Sequence, residues 1–344
     1  MTVLENIIDN TYKDLKRLEP GEFPFALVEL DGFKKWFTTN GNFWTEGFWI
    51  GKLVDIWKLT GDRTFLDYAF KNYQFISRRK EDTTTHDLGF LFYHSAWKIK
   101  EYFPVVRDIK QAVCSLMKRY NAKYNLISAW FSKELKSEVF IVDTFMNLIL
   151  PFDYYASLGD KENTEKIVEI AKTMCNLFIG NHGNVLQAFV EDENGLKPVK
   201  IQGKSPTSCW SRGFAWALYG CAWFWKRTRM KIFAEAFNRM INYLEEREYF
   251  PYIPYDFEDV KSNITDSSAA VIISCALELG RDITVKSQSI SRKIIAWIKN
   301  ECLTEDDRLI HGCYHYPKRQ FIDNELIFGD YYFLMLMKEK EENK

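Results

Sequence analysis

Three aspartates stand where short non-helical stretches lead into apolar, helix-like runs: Asp87, Asp143 and Asp266. Aspartate is favoured just before a helix, because its carboxylate accepts hydrogen bonds from the unpaired N–H groups of the first turn. A plain helix cap is therefore the simpler interpretation of each aspartate alone. If the helices surround a common axis, however, their N-termini bring carboxylates together at one mouth. Paired carboxylates in such a place could act as general acid and base on a carbohydrate.

A second candidate is an arginine that lies between two tryptophans. Arg212 follows Trp210, precedes Trp216, and is followed directly by Gly213, which leaves room for a close approach. A guanidinium fork binds a carboxylate in a bidentate way, and two indole rings could form walls against a sugar ring. The alternative is that Arg212 pairs with an acidic neighbour and that both tryptophans belong to the core. Residue types alone favour neither interpretation.

These side chains need a scaffold, and the pattern of apolar residues predicts one helix after another. Trp49, Leu53, Ile56 and Trp57 follow the i, i+4, i+7, i+8 spacing of a helix face, and the same pattern returns over residues 167–178. Alternating patterns typical of strands are few. The elements that position the candidate residues are therefore expected to be helices.

Similar turns separate the predicted helices. Gly61, Gly159 and Gly280 each follow an apolar helix and precede an amphipathic one, at the position where a left-handed residue ends a helix. Residues 226–229 and 100–104 occupy similar places without a glycine. The turns and the terminal helices together fit about six helical hairpins. An open helical solenoid is the alternative, but its repeats are normally shorter and more regular.

We therefore predict an all-α protein, an (α/α)6 toroid. It should form a single domain over residues 1–344, because no Pro-, Gly- or Ser-rich linker divides the chain. The nearest candidates for strands are residues 139–142 and 249–255, and both are short. Two inserts, residues 180–204 and 306–324, interrupt the helices. Loops on a rigid scaffold usually carry substrate contacts, so we expect these inserts to contribute to the site.

The composition narrows the classes of partner. Of 344 residues 47% are hydrophobic, which is ample for a large core, and the formal net charge is −1 without a basic cluster. These values argue against nucleic acid or an anionic membrane as the main partner. Aromatic residues make up 16% of the chain and include 11 Trp, so indoles outside the core could provide flat apolar faces for sugar rings.

The N-terminus and the cysteines indicate a compartment. The first residues carry acids and lack the apolar core of a signal peptide, and the longest apolar run, near residues 269–277, is too short to span a membrane. Seven scattered cysteines without a CxxC pair are typical of reduced thiols. We expect a cytoplasmic protein without membrane contact, metal site or cofactor.

Residues 209–220, with the sequence CWSRGFAWALYG, resemble the signature of the unsaturated glucuronyl hydrolases, a family of α/α-toroid glycoside hydrolases. Further segments resemble motifs of that family in the same order along the chain. They are FWTEGFWIG at 43–51, HDLGF at 86–90, DTFMNL at 143–148, YDF at 255–257, DSSAA at 266–270 and GDYYFL at 329–334. The resemblance spans nearly the whole chain, and the combination of motifs is far more specific than any one of them.

The resemblance implies an enzyme that removes a C4=C5 unsaturated uronic acid from the non-reducing end of a lyase-generated, glycosaminoglycan-like oligosaccharide. In that family the vinyl ether is hydrated: a proton is added at C4, water adds at C5, and the hemiketal opens with loss of the glycosidic bond. By position, Asp143 is the general acid/base and Asp87 is the second carboxylate. Eight further residues are placed around the pocket by aligned position. They are Trp44, His86, Trp130, Gln187, Gln202, Trp210, Arg212 and Trp216.

The two aspartates of this site need different proton affinities. A nearby like charge and desolvation by tryptophans raise the pKa of a carboxyl group, which suits a general acid. A helix N-terminus lowers the pKa instead. One aspartate could therefore stay ionised while its partner carries the proton.

Two positions depart from the family's pattern. Gln187 stands where the family commonly has a histidine, and Ile201 stands where a second histidine is expected just before the Gln-Gly motif. The resemblance assigns both histidines to contacts with the uronate or the attacking water, so their loss implies altered substrate choice, lower activity or a distinct branch. Glutamine donates and accepts hydrogen bonds but cannot gain charge near neutral pH. We therefore expect the aspartate pair to shape the pH dependence of the rate.

Four other interpretations fit parts of the pattern. The sister family that acts on unsaturated rhamnogalacturonides shares the fold and the paired aspartates, although residues 209–213 favour the glucuronyl branch. An inverting hydrolase of saturated glycosides is permitted by the fold, as is a non-catalytic carbohydrate-binding protein that keeps the tryptophan platforms. A zinc-dependent toroid cyclase is the least favoured, because no plausible Cys/His ligand set is present.

Overall fold

The computed structural model describes residues 2–30 and 32–342, and most of these residues are helical. The helices are α1 (Val3–Leu15), α2 (Glu46–Thr60), α3 (Arg63–Ile76), α4 (Leu88–His94), α5 (Ala96–Ile99), α6 (Val106–Met117), α7 (Thr144–Asn147), α8 (Ile149–Ser157), α9 (Lys161–Phe178), α10 (Ser211–Thr228), α11 (Lys231–Glu245), α12 (Ser267–Leu279), α13 (Lys286–Glu301) and α14 (Ile327–Glu342). Single turns of 3-10 helix occupy Ser77–Arg79, Val260–Ser262 and Tyr316–Lys318.

The inner helices form a closed ring. Helix α2 contacts α4, α4 contacts α7 and α8, α7 contacts α10, α10 contacts α12, α12 contacts α14, and α14 contacts α2. The sequence explains the two layers: α12 has almost no polar face and is buried on nearly every side, whereas outer helices such as α9 bury a single apolar stripe. Six inner segments backed by α1, α3, α6, α9, α11 and α13 confirm the predicted (α/α)6 toroid.

The turns between helices match the sequence prediction in part. Gly61 and Gly159 have φ values of 74° and 70°, the left-handed conformation that glycine adopts without steric cost. The expectation was wrong for Gly280, which ends α12 with φ −94°. In the predicted turn at residues 226–229, which has no glycine, Arg229 takes the left-handed conformation with φ 57°.

Short strands lie between the helices along the chain. They are β1 (Phe23–Leu30), β2 (Phe33–Thr39), β3 (Tyr120–Asn121), β4 (Leu126–Ile127), β5 (Trp130–Ser132), β6 (Ser137–Ile141), β7 (Ala188–Asp192), β8 (Gly195–Val199), β9 (Gly312–His315) and β10 (Gln320–Leu326). All pairings are antiparallel, with the orders β2-β1-β10-β9, β3-β4 and β5-β6-β7-β8. The first insert thus carries β7 and β8, and the second carries β9 and most of β10.

The two strand predictions had different outcomes. Residues 139–142 overlap β6, which pairs with β5 and β7. Residues 249–255 do not form a strand, and their one ladder contact is an isolated bridge between Pro254 and Thr265. Pro251 and Pro254 both lack a backbone N–H, which removes two of the donors that a strand needs.

Buried apolar side chains from every helix of the ring belong to one continuous cluster. This packing agrees with the single domain predicted over residues 1–344, although the domain assignment itself stays a prediction. Within residues 2–30 and 32–342, no helix has the length and apolar character that crossing a bilayer requires.

Candidate active site

Asp87 and Asp143 lie directly before α4 and α7, two neighbouring inner helices. Both occupy the N-cap position, but neither side chain accepts a hydrogen bond from its own helix. Asp266 behaves differently, because its carboxylate accepts from the N–H groups of Ser268 and Ala269. Of the three aspartates, Asp266 thus caps its helix, and its Oδ2 also accepts a hydrogen bond from Arg212. The carboxylates of Asp87 and Asp143 are not used for capping.

The carboxyl group of Asp143 has a strongly altered proton affinity. Burial, and to a smaller extent the negative charge of Asp87, raise its pKa to about 7, although the positive charges of His86 and Arg212 act to lower it. Its Oδ1 is buried without a hydrogen-bond partner in the described part of the chain. A carboxyl group in this environment carries a proton over much of the neutral range, as a general acid requires.

Asp87 is held in the opposite state. Burial alone would raise its pKa, but the charge and hydrogen bond of His86 and the hydroxyl of Thr85 outweigh burial, so that its pKa lies below the ordinary value. Thr85 Oγ1 donates to Asp87 Oδ2 at 2.7 Å, and His86 Nε2 lies 3.3 Å from Oδ1. The two environments separate the pKa values of the pair: Asp87 is ionised while Asp143 retains a proton.

His86 connects the two helix starts. Its Nδ1 lies 2.9 Å from Oγ1 of Thr144, the first residue of α7, and its Nε2 faces the Asp87 carboxylate. Because an ionised carboxylate only accepts, the imidazole donates from Nε2 to Asp87, while its Nδ1 bonds to the Thr144 hydroxyl group. The buried imidazole therefore connects the Asp87 carboxylate to the first residue of α7, which directly follows Asp143.

Arg212, at the start of α10, is fully buried and its terminal N–H groups are all used. Nη1 donates to Asp266 Oδ2 at 2.8 Å and to the Cys313 carbonyl oxygen, and Nη2 donates to Gln202 Oε1 and the Tyr314 carbonyl oxygen, each at 2.6 Å. The structure thus favours the ion-pair alternative, and a contact of this fork with a substrate carboxylate stays a prediction. Arg212 holds Gln202 and the β9 backbone together.

The two tryptophans beside Arg212 belong to the interior. Trp216 is completely buried, with its ring packed against Phe90 and Tyr332. Trp210 is 3% exposed and lies 4.6 Å from the Arg212 guanidinium carbon, a cation–π contact. Their predicted role as walls against a sugar ring does not match this placement. Apolar periodicity could not reveal it, because an indole is common in both cores and sugar sites.

Trp44 and Trp130 are only partly buried, as expected for rings that face a pocket. Trp44 precedes α2 and packs against Phe43 and Phe328, and Trp130 begins β5. The sequence prediction missed Tyr314, a half-buried residue in β9. The charges of both aspartates and of Arg212 act on the pKa of its hydroxyl group. The one available signal was its place in the insert at 306–324.

The two glutamines have different environments. Gln202 is half-buried, with Oε1 bonded to Arg212. Gln187 is 2% exposed, and its Oε1 accepts the backbone N–H groups of Ile201, Gln202 and Gly203. This burial and these backbone contacts do not favour a place for Gln187 in the pocket wall, and its role as a substitute for a histidine stays a prediction.

A cavity of about 470 Å³ lies against Trp130. Its lining also includes Ile201 from the Gln202 loop, His315 from β9, and the side chains of Lys200 and Lys318. Neither lysine forms an ion pair within residues 2–30 and 32–342, and burial together with the Lys318 charge lowers the pKa of His315 to about 4. The cavity therefore offers a flat ring, a neutral imidazole and two ammonium groups.

Comparison with known proteins gives a consistent result, although no family model matches the chain. An unsaturated chondroitin disaccharide hydrolase of Streptococcus pneumoniae is 28% identical over 347 residues, which cover 89% of this chain and 87% of the relative. An unsaturated glucuronyl hydrolase of Formosa agariphila is 29% identical, over 87% of this chain and 80% of the relative. The crystal structure of an unsaturated glucuronyl hydrolase from Bacillus sp. GL1 superposes with a TM-score of 0.89 at 25% identity, over 99% and 96% of the two chains.

Proposed function

The chain belongs to the unsaturated glucuronyl hydrolase family, and from this premise we propose that it is a glycosidase acting on lyase-generated oligosaccharides. It releases the C4=C5 unsaturated uronic acid from the non-reducing end by hydration of the vinyl ether. The observation that carries the proposal is the separation of the pKa values of the two aspartates, with Asp143 protonated near neutral pH and Asp87 ionised.

The reaction follows from those protonation states. The carboxyl group of Asp143 donates its proton to C4, and the positive charge that develops at C5 and the ring oxygen is stabilised by the ionised Asp87. Water then adds to C5 and returns a proton to Asp143, which restores the acid. The resulting hemiketal opens and the glycosidic bond is lost, with one water consumed. No other proton donor is needed, because the same carboxyl group serves as acid and then as base.

The cavity beside Trp130 suits the saccharide on the other side of the bond. A sugar ring can stack on the partly buried indole, while Lys200 and Lys318 attract an acidic group. Glu134 also lines this cavity, so the net charge of its lining is modestly positive. We propose that the leaving saccharide carries a carboxylate or sulfate, as in glycosaminoglycan fragments.

The direct test is to incubate the protein with lyase digests of several acidic polysaccharides and to follow the ultraviolet absorbance of the conjugated double bond. We expect absorbance to fall with at least one digest, and Asp143→Asn to suppress the fall under identical conditions. A purified, folded protein that leaves the absorbance of every digest unchanged contradicts the proposal.

The acidic leaving group can be tested separately. Lys200→Gln combined with Lys318→Gln should raise KM for an oligosaccharide with a charged second sugar, by about 10-fold if two exposed attractions are lost. The same double variant should leave KM for a neutral second sugar unchanged. Equal effects on both substrates would separate these lysines from substrate choice.

The relatives and the solved structure described above do not favour the rhamnogalacturonyl, saturated-glycoside or non-catalytic alternatives. We also propose a cytoplasmic location, which the seven free cysteines support, because cysteines that leave no disulfide are typical of a reducing compartment. The sulfur atoms of Cys175 and Cys221, for example, lie 3.7 Å apart in hydrogen-bond contact and form no disulfide. Fractionation of cells that express the native chain tests this location.

A further inference from the structure

The side chain of Gln187 gathers three consecutive backbone donors. Its Oε1 accepts the N–H groups of Ile201 at 3.3 Å, Gln202 at 2.8 Å and Gly203 at 3.0 Å. Within the described chain, none of these three N–H groups has another acceptor. The loop that carries Gln202 therefore depends on one side-chain oxygen for its backbone hydrogen bonds, and losing that oxygen would leave all three donors without a partner.

Gln187 is also tied to the strand that leads to the general acid. Its backbone carbonyl oxygen accepts the N–H of Val142, the residue before Asp143, at 2.9 Å. The residue that follows it, Ala188, pairs with Ile141 in the β6–β7 ladder. One residue thus links the backbone beside Asp143 to the loop of Gln202, two parts of the site that come from distant segments.

The side chain has little capacity left for a ligand. Gln187 is 2% exposed and its oxygen is fully occupied, while its Nε2 is buried without a partner in the described residues. An imidazole at this position could replace at most one of the three acceptor contacts, because a neutral histidine has a single acceptor nitrogen. The glutamine is therefore suited to hold the loop in a way that a histidine is not.

We propose that Gln187 is a positioning residue that acts through Gln202: it sets the distance between the Gln202 side chain and the Asp143 carboxyl group without contacting the substrate. The half-buried Gln202 receives a second constraint from Arg212, whose Nη2 donates to its Oε1 at 2.6 Å. Main chain and side chain of Gln202 are thus fixed by different residues. The proposal rests on the proposed function in one respect, the contact of Gln202 with substrate.

The kinetic test is a double-mutant cycle on the full chain. Gln187→Met keeps the length of the side chain but removes the acceptor, and should raise KM by about 3- to 10-fold while kcat falls less, as expected for loss of one ground-state hydrogen bond. In a Gln202→Leu background, the same change at Gln187 should raise KM by less than 2-fold. Additive losses would show that Gln187 acts on its own, and unchanged constants in Gln187→Met would also overturn the proposal.

A second measurement does not depend on activity. Hydrogen exchange followed by mass spectrometry should show protected amides at residues 201–203 in the wild type and at least about 10-fold faster exchange in Gln187→Met. Unchanged exchange overturns the proposal. If Gln187→Met does not fold, Gln187→Asn keeps an amide that is one methylene too short, and the same exchange and non-additivity are expected from it.

A matched control separates positioning from stability. Asn72 is a buried amide in α3 whose Oδ1 accepts the N–H of Gly21 at 3.2 Å, in a loop outside the candidate site. Asn72→Leu should lower the melting temperature and leave KM and kcat unchanged.

If wild-type protein does not act on any unsaturated uronate, the proposed function fails, while the exchange at residues 201–203 still decides whether Gln187 holds the loop.

Discussion

Replacing Asp143 with asparagine should stabilise the fold while it removes the activity. The folded state raises the pKa of this carboxyl group from 3.8 to about 7, so the folded protein binds its proton more tightly than the unfolded chain does. A group of this kind destabilises the fold increasingly as pH rises from about 4 to 7. Asparagine cannot ionise, and the variant avoids that cost.

The expected size follows from the two pKa values. At 1.36 kcal/mol per pH unit, the interval between 3.8 and about 7 corresponds to a ceiling of about 4 kcal/mol above pH 7. Asp143 is only partly buried, so solvent screening reduces this ceiling, and we expect about 2–4 kcal/mol at pH 8. Near pH 4 the carboxyl group is protonated in the folded state, and the difference should fall below about 1 kcal/mol.

The assay is urea unfolding of wild type and Asp143→Asn at pH 8 and pH 4.5, followed by tryptophan fluorescence. The free energy of unfolding should be higher in the variant at pH 8, and the difference should narrow to about 1 kcal/mol at pH 4.5. Asp160→Asn is the control, because Asp160 caps α9 and its hydrogen bonds with Asn163 lower its pKa. That variant should be less stable than wild type at pH 8. A stability difference for Asp143→Asn that does not change with pH would refute the assignment of the raised pKa.

Three further predictions concern the rest of the site. The value of kcat/KM should decrease above about pH 7 as Asp143 loses its proton. Asp87→Asn should move that decrease to lower pH, because the Asp87 charge helps to raise the pKa of Asp143. A pH–rate profile of each protein measures both effects. Arg212→Lys should lower the free energy of unfolding by urea by about 2 kcal/mol and also raise KM, since lysine cannot replace all four terminal N–H contacts. Unchanged stability would contradict the buried network. Gln187→His should lower kcat/KM on unsaturated glucuronides and add no titration near pH 6 to 7, and a new limb in that range would return this residue to the pocket.

The helical ring could be predicted from the sequence because its signals are local. Apolar periodicity identifies the helices, and glycines such as Gly61 and Gly159 mark the turns that join them. The β2-β1-β10-β9 sheet could not be predicted in the same way. Its central pairing joins Ala26 to Leu326, and nothing within one short strand specifies a partner three hundred residues away.

In the candidate site, too, local features could be predicted from the sequence and contacts between distant segments could not. The motifs around Asp87 and Asp143 identify the acidic pair, because each aspartate stands at a recognisable helix start. The direction in which Arg212 and Gln187 face could not be predicted, since their partners come from other segments: Arg212 bonds to the β9 backbone about 100 residues downstream. Residue type indicates what a side chain can bind, and only the assembled fold decides which contacts it makes.

The central claim is that the protein hydrates the C4=C5 bond and breaks the glycosidic bond as a consequence. The most direct measurement uses one disaccharide in two forms, with and without the C4=C5 bond, and records loss of ultraviolet absorbance together with release of the reducing sugar. The account predicts one double bond lost for each glycosidic bond broken, and no release from the saturated form. Release of sugar with the double bond intact, or similar rates on both forms, would contradict it.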